Sequence, residues 1–187
     1  LTVGYSYYER LTALDASFLE VEDENSPMHV GAVAVFGRGP LTGEAGDVDI
    51  ERFRRFTESN LHPRYRQRIA RMPVSGARIW VDDANFNLHY HVRHMSLPKP
   101  GDDRLLKRLA GHVMSLPLDH NRPLWELWLV EGLEQGGFAV ITKAHHSMID
   151  GVGSADLLTA SMRLEPDSDG TRDPKRWIPR AAPGILD

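Results

Sequence analysis

The chain has 187 residues, a formal net charge of −4 and no cysteine. This length suits one domain with a hydrophobic core of its own, and the absence of cysteine excludes disulfide bonds and thiol catalysis. An acidic chain is not expected to bind nucleic acid, and no apolar run reaches the length of a transmembrane helix.

The first third of the chain predicts a helix, a strand and a second helix. Residues 11–22 place leucine and phenylalanine at helical spacing, and Thr12 is a suitable N-cap. Residues 28–36 are almost all small apolar or β-branched, which predicts a buried strand. Asp49 is expected to cap a helix over residues 50–61.

A basic block lies between Glu51 and Arg71, where seven arginines accompany two glutamates. Such a block could face the phosphate groups of a substrate or an anionic lipid surface. The simpler interpretation, which we favour, is a solvated helix face with local ion pairs.

The middle of the chain predicts a hairpin followed by another strand. Residues 67–74 and 77–83 flank Ser75-Gly76, a turn-forming pair. Residues 86–97 alternate between polar and apolar side chains, as a half-buried strand does. We therefore expect three successive strands in this part of the chain.

The remainder predicts two helices and two strands. A helix is expected from Asp102-Asp103 to about Ser115, and residues 116–133 form a loop that leads into a strand. Residues 136–146 carry a nearly continuous apolar run, which predicts a strand buried on both faces. Residues 152–164 repeat apolar side chains at helical spacing.

This order of elements predicts an α/β or α+β domain in which helices flank a mixed sheet. We assign residues 1–165 to this domain. Residues 166–187 contain four prolines and no periodic pattern, so they are interpreted as a linker towards a missing C-terminal half.

The segment HHSMIDG, residues 145–151, offers histidines for either metal binding or catalysis. Adjacent side chains of a strand point to opposite faces, so His145 and His146 cannot readily reach one ion. His89 and His91 share a strand face, but His94 is offset and no third ligand is evident. We therefore expect no metal site and interpret His89 and His91 as part of a polar or half-buried strand face.

Catalysis is the alternative for the same segment. A histidine at the end of a buried strand is fixed by its neighbours yet open to a ligand, and its ordinary pKa lies near neutrality. Asp150 is spaced to support the loop or the ring, and Gly151 permits a tight turn. The chain has no G-x-S-x-G motif, and Ser147 is too close to His146 to align as a nucleophile. A histidine base would therefore activate a hydroxyl of the substrate itself.

HHSMIDG matches H-H-x-x-x-D-G, the motif of the acyl-CoA-dependent acyltransferase superfamily. That superfamily includes chloramphenicol acetyltransferase, the carnitine acyltransferases and the condensation domains of peptide synthetases. Three further segments are LTALDASFLEVE (11–22), PMHVGAVAVF (27–36) and LPLDHNRPLWELWLVEGL (116–133). In this order the segments resemble the bacterial wax ester synthase/diacylglycerol acyltransferases, from about Leu11 to about Arg180.

The resemblance implies a chloramphenicol-acetyltransferase-like half domain, paired with a second half so that the active site lies in a channel between them. His146 would be the general base that takes a proton from an acceptor hydroxyl, which then attacks the thioester of a long-chain acyl-CoA. Asp150 would form a structural ion pair, and Gly151 would keep the channel open. His145, the other histidine of the catalytic motif, would be structural. No acyl-enzyme and no cofactor are implied, because acyl-CoA is a substrate.

Pro123, Leu124 and Trp125 match the PLW motif of the same family. We group them, with Ser147 and Gly151, as residues that bind substrate or support the site. A packing corner is the simpler interpretation of the tripeptide.

The implied acceptor is a diacylglycerol or a fatty alcohol, and the implied product is a triacylglycerol or a wax ester. Such substrates imply a cytoplasmic protein that is peripheral at the inner membrane or at lipid inclusions. Family members are considerably longer, so a C-terminal half is an expected partner. Two alternatives stay open: a superfamily acyltransferase that uses another alcohol, such as a polyketide, or a carrier-bound donor, and a non-catalytic half that binds acyl chains or partners.

Overall fold

The computed structural model describes residues 6–43, 47–149 and 177–184. Within these ranges the α-helices are α1 (Ala13–Val21), α2 (Ile50–Asn60), α3 (Leu88–His91) and α4 (Asp103–Ser115). The strands are β1 (Glu9–Arg10), β2 (His29–Phe36), β3 (Gln67–Arg71), β4 (Arg78–Asp82), β5 (Val92–Ser96), β6 (Trp125–Glu131) and β7 (Phe138–His145). The helix expected over residues 152–164 lies outside the described residues.

Two sheets organise the described residues. The larger has the strand order β2-β7-β6-β5, with β5 parallel to β6 and the other pairs antiparallel. The smaller is an antiparallel sheet of order β1-β4-β3. Helix α4 packs Leu106 and Val113 against apolar side chains of β6 and β7. The predicted mixed sheet with flanking helices is therefore confirmed.

Side chains cap the helices where the sequence predicts. Thr12 accepts a hydrogen bond from the Asp15 N–H at 3.0 Å, and the Asp15 carboxylate reaches back to the Thr12 N–H, which closes a capping box on α1. Asp49 and Asp102 each accept from a backbone N–H at 2.8 Å in the first turns of α2 and α4. These caps satisfy donors that a helix start leaves unpaired.

The predicted hairpin is confirmed as β3 and β4, which pair antiparallel. Gly76 in the connecting turn has a φ of +68°, a conformation that residues with a side chain adopt at a cost.

Arginines of the basic block, in and before this hairpin, form ion pairs within the domain. Arg54 lies 2.6 Å from Glu51, and Arg66 lies 3.8 Å from Glu58. The Arg54–Glu51 pair agrees with a helix face that carries local ion pairs, whereas Arg66 lies beyond α2 and is buried.

The run of residues 136–146 forms a central strand, as predicted. Strand β7 lies between β2 and β6, and all eight of its side chains are buried. The apolar sequence satisfies this position because both faces of the strand are covered. The end of β7 therefore places the HHSMIDG segment at the rim of the core.

The prediction that residues 28–36 are buried is wrong. Strand β2 forms as predicted but lies at the edge of the larger sheet, where Val33 and Val35 are 45% and 61% exposed. Small apolar and β-branched residues favour an extended backbone, but this local preference does not determine whether another element covers the strand.

The single strand predicted over residues 86–97 is wrong in its first half. Asn87 accepts a hydrogen bond from the His89 N–H at 3.0 Å and so begins α3, and β5 starts only at Val92. His91 then turns into the core, where its ring Nδ1 donates to the Trp125 carbonyl at 2.8 Å. Since residues 88–91 are helical, His89 and His91 do not share a strand face.

The described C-terminal segment, residues 177–184, lies against the smaller sheet. Arg180 binds the Asp82 carboxylate through Nε and Nη2, each at 2.8 Å. Trp177 donates its indole N–H to the Asp83 carbonyl at 3.2 Å. This segment belongs to the predicted linker of residues 166–187, and the division of the chain at residue 165 stays a prediction.

Replacing Arg180 with alanine should leave the fully buried Asp82 carboxylate without its arginine partner. We expect the free energy of unfolding to fall by roughly 1–3 kcal/mol, because an unpaired buried charge is costly. Urea unfolding measures the loss. Arg122→Ala is the control, because its ion pair with Asp119 is open to solvent and its loss should cost less than about 1 kcal/mol. Equal losses in both variants would contradict the docking of residues 177–184.

Candidate active site

The HHSMIDG segment begins where β7 ends. His145 is the last residue of the strand, and residues His146–Met148 form a 3-10 turn directly after it. Asp150 and Gly151 lie outside the described residues, so the roles predicted for them stay predictions. The described part of the site consists of His145, His146 and Ser147 with their surroundings.

The His145 side chain is fully buried and is fixed by its own turn. Its backbone N–H donates to the Leu124 carbonyl at 3.0 Å. The backbone N–H and the hydroxyl of Ser147 lie 3.0 and 2.7 Å from the ring Nδ1. Because a backbone N–H can only donate, Nδ1 is an acceptor, and the neutral ring carries its proton on Nε2.

Burial also sets the protonation state of His145. Its removal from water disfavours the imidazolium ion and lowers the pKa of His145 to about 4, although the nearby Glu22 carboxylate acts in the opposite direction. His145 is therefore neutral near pH 7 and poorly matched to proton transfer there. The Ser147 side chain is buried as well, and its hydroxyl faces the His145 ring.

His146 has different surroundings and is only partly buried. Its backbone N–H donates to the Met28 carbonyl at 2.8 Å. Its ring stacks on Phe18 of α1, with 4.8 Å between ring centroids and 19° between the ring planes. A general base needs a fixed ring and access to its substrate, and of the two histidines His146 meets both needs.

The residues of the PLW motif lie in the core beneath the turn, and Pro123, Leu124 and Trp125 are all buried. The Trp125 indole N–H donates to the Tyr65 carbonyl at 2.7 Å, and the Trp125 ring stacks on His91 with 4.6 Å between centroids. The Leu124 carbonyl accepts from His145, as described above. The tripeptide thus supports the turn by packing and by one backbone hydrogen bond.

The PMHVG segment and β7 together fix the end of α4. The His29 ring donates from Nε2 to the Met114 carbonyl at 2.7 Å. Lys143 donates from Nζ to the carbonyls of Val113, at 2.9 Å, and of Leu116. Burial lowers the pKa of both His29 and Lys143. These contacts satisfy carbonyls that the helix end leaves unpaired, and they join α4 to the strands that carry the site.

Sequence reasoning missed the polar residues behind the turn. Oε2 of Glu22 lies 2.8 Å from Nε2 of His120 and 3.4 Å from Nε2 of His145. Oε1 of Glu22 accepts from the Met28 N–H at 3.0 Å. These residues come from distant parts of the chain, so no local spacing groups them. Glu22 lies in segment 11–22 and His120 in segment 116–133, two of the segments that carry the family resemblance. That location is the only signal in the sequence that points to them.

The histidines that the sequence offers as metal ligands are spread over different elements of the described chain. Within residues 6–43, 47–149 and 177–184, no three His, Asp or Glu side chains are grouped so that they could hold an ion. His91 is committed to the Trp125 carbonyl, and burial lowers its pKa to about 4. The histidines considered as ligands from the sequence are therefore not brought together here.

Comparison with known proteins relates the chain to one family. The wax ester synthase/diacylglycerol acyltransferase catalytic domain matches residues 11–184. The probable diacylglycerol O-acyltransferase Tgs3 of Mycobacterium tuberculosis is 39% identical over 183 residues, which cover 94% of this chain and 64% of that protein. The chain thus spans a little less than two thirds of this relative.

Solved structures share the fold. A wax ester synthase/diacylglycerol acyltransferase from Marinobacter aquaeolei VT8 has a TM-score of 0.73 at 30% identity, and the match covers 87% of this chain and 39% of that one. The starter condensation domain of rhizomide synthetase RzmA has a TM-score of 0.59 at 13% identity, with 83% and 36% covered. These neighbours confirm the predicted chloramphenicol-acetyltransferase-like fold.

The buried, neutral state of His145 predicts a loss of stability in acid. Its pKa is about 4 in the folded chain against an ordinary 6.5, so between these values the unfolded chain binds a proton that the folded chain does not. The free energy of unfolding should therefore fall as the pH drops from about 6.5 towards 4, by on the order of 1–3 kcal/mol for this group. Urea unfolding across that pH range measures the slope.

A non-titrating variant isolates the contribution of His145. His145→Asn keeps an acceptor for the Ser147 N–H and should show a flatter pH dependence than the wild type. His112→Asn, on the exposed face of α4, is the control for the effect of the substitution itself. The comparison is needed because His91, which is also buried with a pKa of about 4, adds to the same fall. Parallel profiles for wild type and His145→Asn would contradict the assignment.

Proposed function

Because the chain belongs to the wax ester synthase/diacylglycerol acyltransferase family, we propose that it provides the N-terminal half of an acyl-CoA-dependent O-acyltransferase. The donor is a long-chain acyl-CoA, the acceptor is a diacylglycerol or a fatty alcohol, and the product is a triacylglycerol or a wax ester. The observation that carries the proposal is His146, which is fixed by its backbone and by ring stacking yet partly exposed within the family motif.

His146 acts as the general base in this proposal. A ring nitrogen takes the proton of the acceptor hydroxyl while the oxygen attacks the thioester carbonyl, and a tetrahedral oxyanion forms. The carbon–sulfur bond then breaks, the ester is released, and the proton passes from His146 to the CoA thiolate. The acyl group moves directly, with no acyl-enzyme, because the substrate supplies the attacking hydroxyl.

The other motif residues support the base. His145 and Ser147 hold the turn through the hydrogen bonds of the buried ring. Pro123, Leu124 and Trp125 pack beneath it. The roles that the resemblance implies for Asp150, support of the loop, and for Gly151, space beside the base, are part of the same proposal.

A C-terminal half completes the substrate channel. The chain covers 64% of Tgs3 and 39% of the Marinobacter chain, so both proteins contain a large part that has no counterpart here. Strand β2 is an edge strand of the larger sheet, and its Val33 and Val35 side chains are exposed on one sheet face. Exposed apolar side chains on an edge strand favour a covering partner. We assign the cover to the C-terminal half, in the same polypeptide or as a separate chain.

The substrates place the protein at a lipid surface. Diacylglycerols and long-chain alcohols partition into membranes and lipid inclusions, so the enzyme acts there as a peripheral protein on the cytoplasmic side. Among the described helices, none combines the length and the apolar character that a membrane crossing requires.

Removing the base should nearly abolish transfer. With the C-terminal half present, His146→Ala should lower the rate of CoA release by roughly 10²–10⁴, or about 3–5 kcal/mol of transition-state stabilisation. The assay supplies a long-chain acyl-CoA with either a diacylglycerol or a fatty alcohol, and the preferred acceptor identifies the product. His112→Ala is the matched control and should retain wild-type activity. Full activity of a folded His146→Ala variant would refute the proposed mechanism.

Residues 1–187 alone should show no turnover, because they supply only one wall of the proposed channel. The same assay with a supplied C-terminal half should restore CoA release. A control without acceptor measures hydrolysis of the thioester by water. Full turnover by the isolated chain would show that no second half is needed.

A further inference from the structure

Glu22 lies where helix α1 ends, directly behind the two-histidine turn (residues 145–148). Its side chain is only 10% exposed, and its backbone N–H donates to the Phe18 carbonyl at 3.2 Å, which closes the helix. A carboxylate so far from water requires donors close to it. Among the described residues, the carboxylate faces His145, which belongs to the turn, and Met28 and His120, which contact the turn.

One carboxylate oxygen acts on the turn through the backbone of Met28. Oε1 of Glu22 accepts from the Met28 N–H at 3.0 Å, and the Met28 carbonyl accepts from the His146 N–H at 2.8 Å. Phe18, one helical turn before Glu22, stacks on the His146 ring. The end of α1 therefore fixes both the backbone and the ring plane of His146.

The other oxygen acts on the turn through the His145 ring. Oε2 lies 3.4 Å from Nε2 of His145 and 2.8 Å from Nε2 of His120, and the two rings meet edge to face with 6.0 Å between centroids. Because Ser147 donates to Nδ1 of His145, the ring proton is on Nε2, which lies 3.4 Å from the carboxylate. Within the described residues neither Nε2 of His145 nor Oε2 of Glu22 makes a hydrogen bond, so the carboxylate acts on the ring through its charge. A negative charge at this place favours that tautomer, as carboxylates do behind the histidines of other sites.

We infer that Glu22 is a positioning residue for the proposed acyl transfer: it selects the Nε2–H tautomer of His145 and anchors Met28, and both effects orient His146 towards the acceptor hydroxyl. Glu22 acts through these residues and not by contact with the substrates. The inference rests on the proposed function, because it assigns a role within that site.

Glu22→Gln is the informative variant because it keeps the shape of the side chain. The amide oxygen can still accept from the Met28 N–H, but the amide NH2 then faces Nε2 of His145, and two donors cannot satisfy each other. The His145 proton must move to Nδ1, where it opposes the Ser147 N–H, or the ring must turn. With the C-terminal half present, kcat should fall about 10- to 100-fold, while KM for acyl-CoA stays within about twofold.

Two further measurements separate positioning from a general loss of structure. In a His146→Ala background, Glu22→Gln should lower kcat no further, since no base is left to position. Nitrogen-15 NMR of labelled histidine should show His145 protonated on Nε2 in the wild type and altered in Glu22→Gln. Glu24→Gln, an exposed glutamate two residues away, is the matched control and should leave both kcat and the spectrum unchanged.

Each outcome bears on Glu22 directly. Wild-type kcat in folded Glu22→Gln, or losses that simply multiply with those of His146→Ala, would overturn the inference. If Glu22→Gln does not fold, Glu22→Asp takes its place, because its shorter side chain withdraws the carboxylate from Met28 and His145. A lower kcat with an unchanged KM then supports the inference, and a wild-type kcat overturns it. If His146→Ala keeps its activity, the proposed function fails, and the spectra of wild type and Glu22→Gln still test whether Glu22 selects the tautomer.

Discussion

Strand β7 hydrogen-bonds to β2 along one edge and to β6 along the other, and it has all eight side chains buried. A polar side chain in such a strand must find a partner within the protein, because water cannot reach it. Lys143 does so by donating to carbonyls at the end of α4, and His145 does so at Nδ1, which accepts from the Ser147 N–H. The two side chains tie the helix and the turn to the same central strand.

This constraint explains how two adjacent residues of one type acquire different chemistry. His145 is inside the core, where burial lowers its pKa to about 4. His146 begins the turn after the strand and is only partly buried. A backbone hydrogen bond to Met28 and ring stacking on Phe18 fix its position. Assigning distinct roles to like residues through their environments is a general property of active sites. In the proposed function the first histidine provides support, and the second is available to a substrate.

The sequence predicted the parts of the fold that depend on local physics. Thr12, Asp49 and Asp102 mark helix starts because their side chains accept hydrogen bonds from nearby backbone N–H groups. The apolar run of β7 predicted a buried strand because exposure of so many apolar side chains to water would be unfavourable. The edge position of β2 was not predictable, since it depends on which strands pair. The short helix α3, which Asn87 caps, was missed because residues 86–97 alternate between polar and apolar side chains and so predicted a strand. Glu22 and His120 were missed because they meet His145 only after the chain has folded.

Footprinting with diethyl pyrocarbonate, read by mass spectrometry, tests the division of roles between the two histidines most directly. The reagent modifies accessible, neutral imidazole rings. In the folded protein with its C-terminal half, acyl transfer should be lost at the same rate as His146 is modified. Long-chain acyl-CoA should slow the modification of His146, and His145 should stay unmodified. Modification of His145 at the rate of His146, or an activity loss that follows His145, would contradict this division.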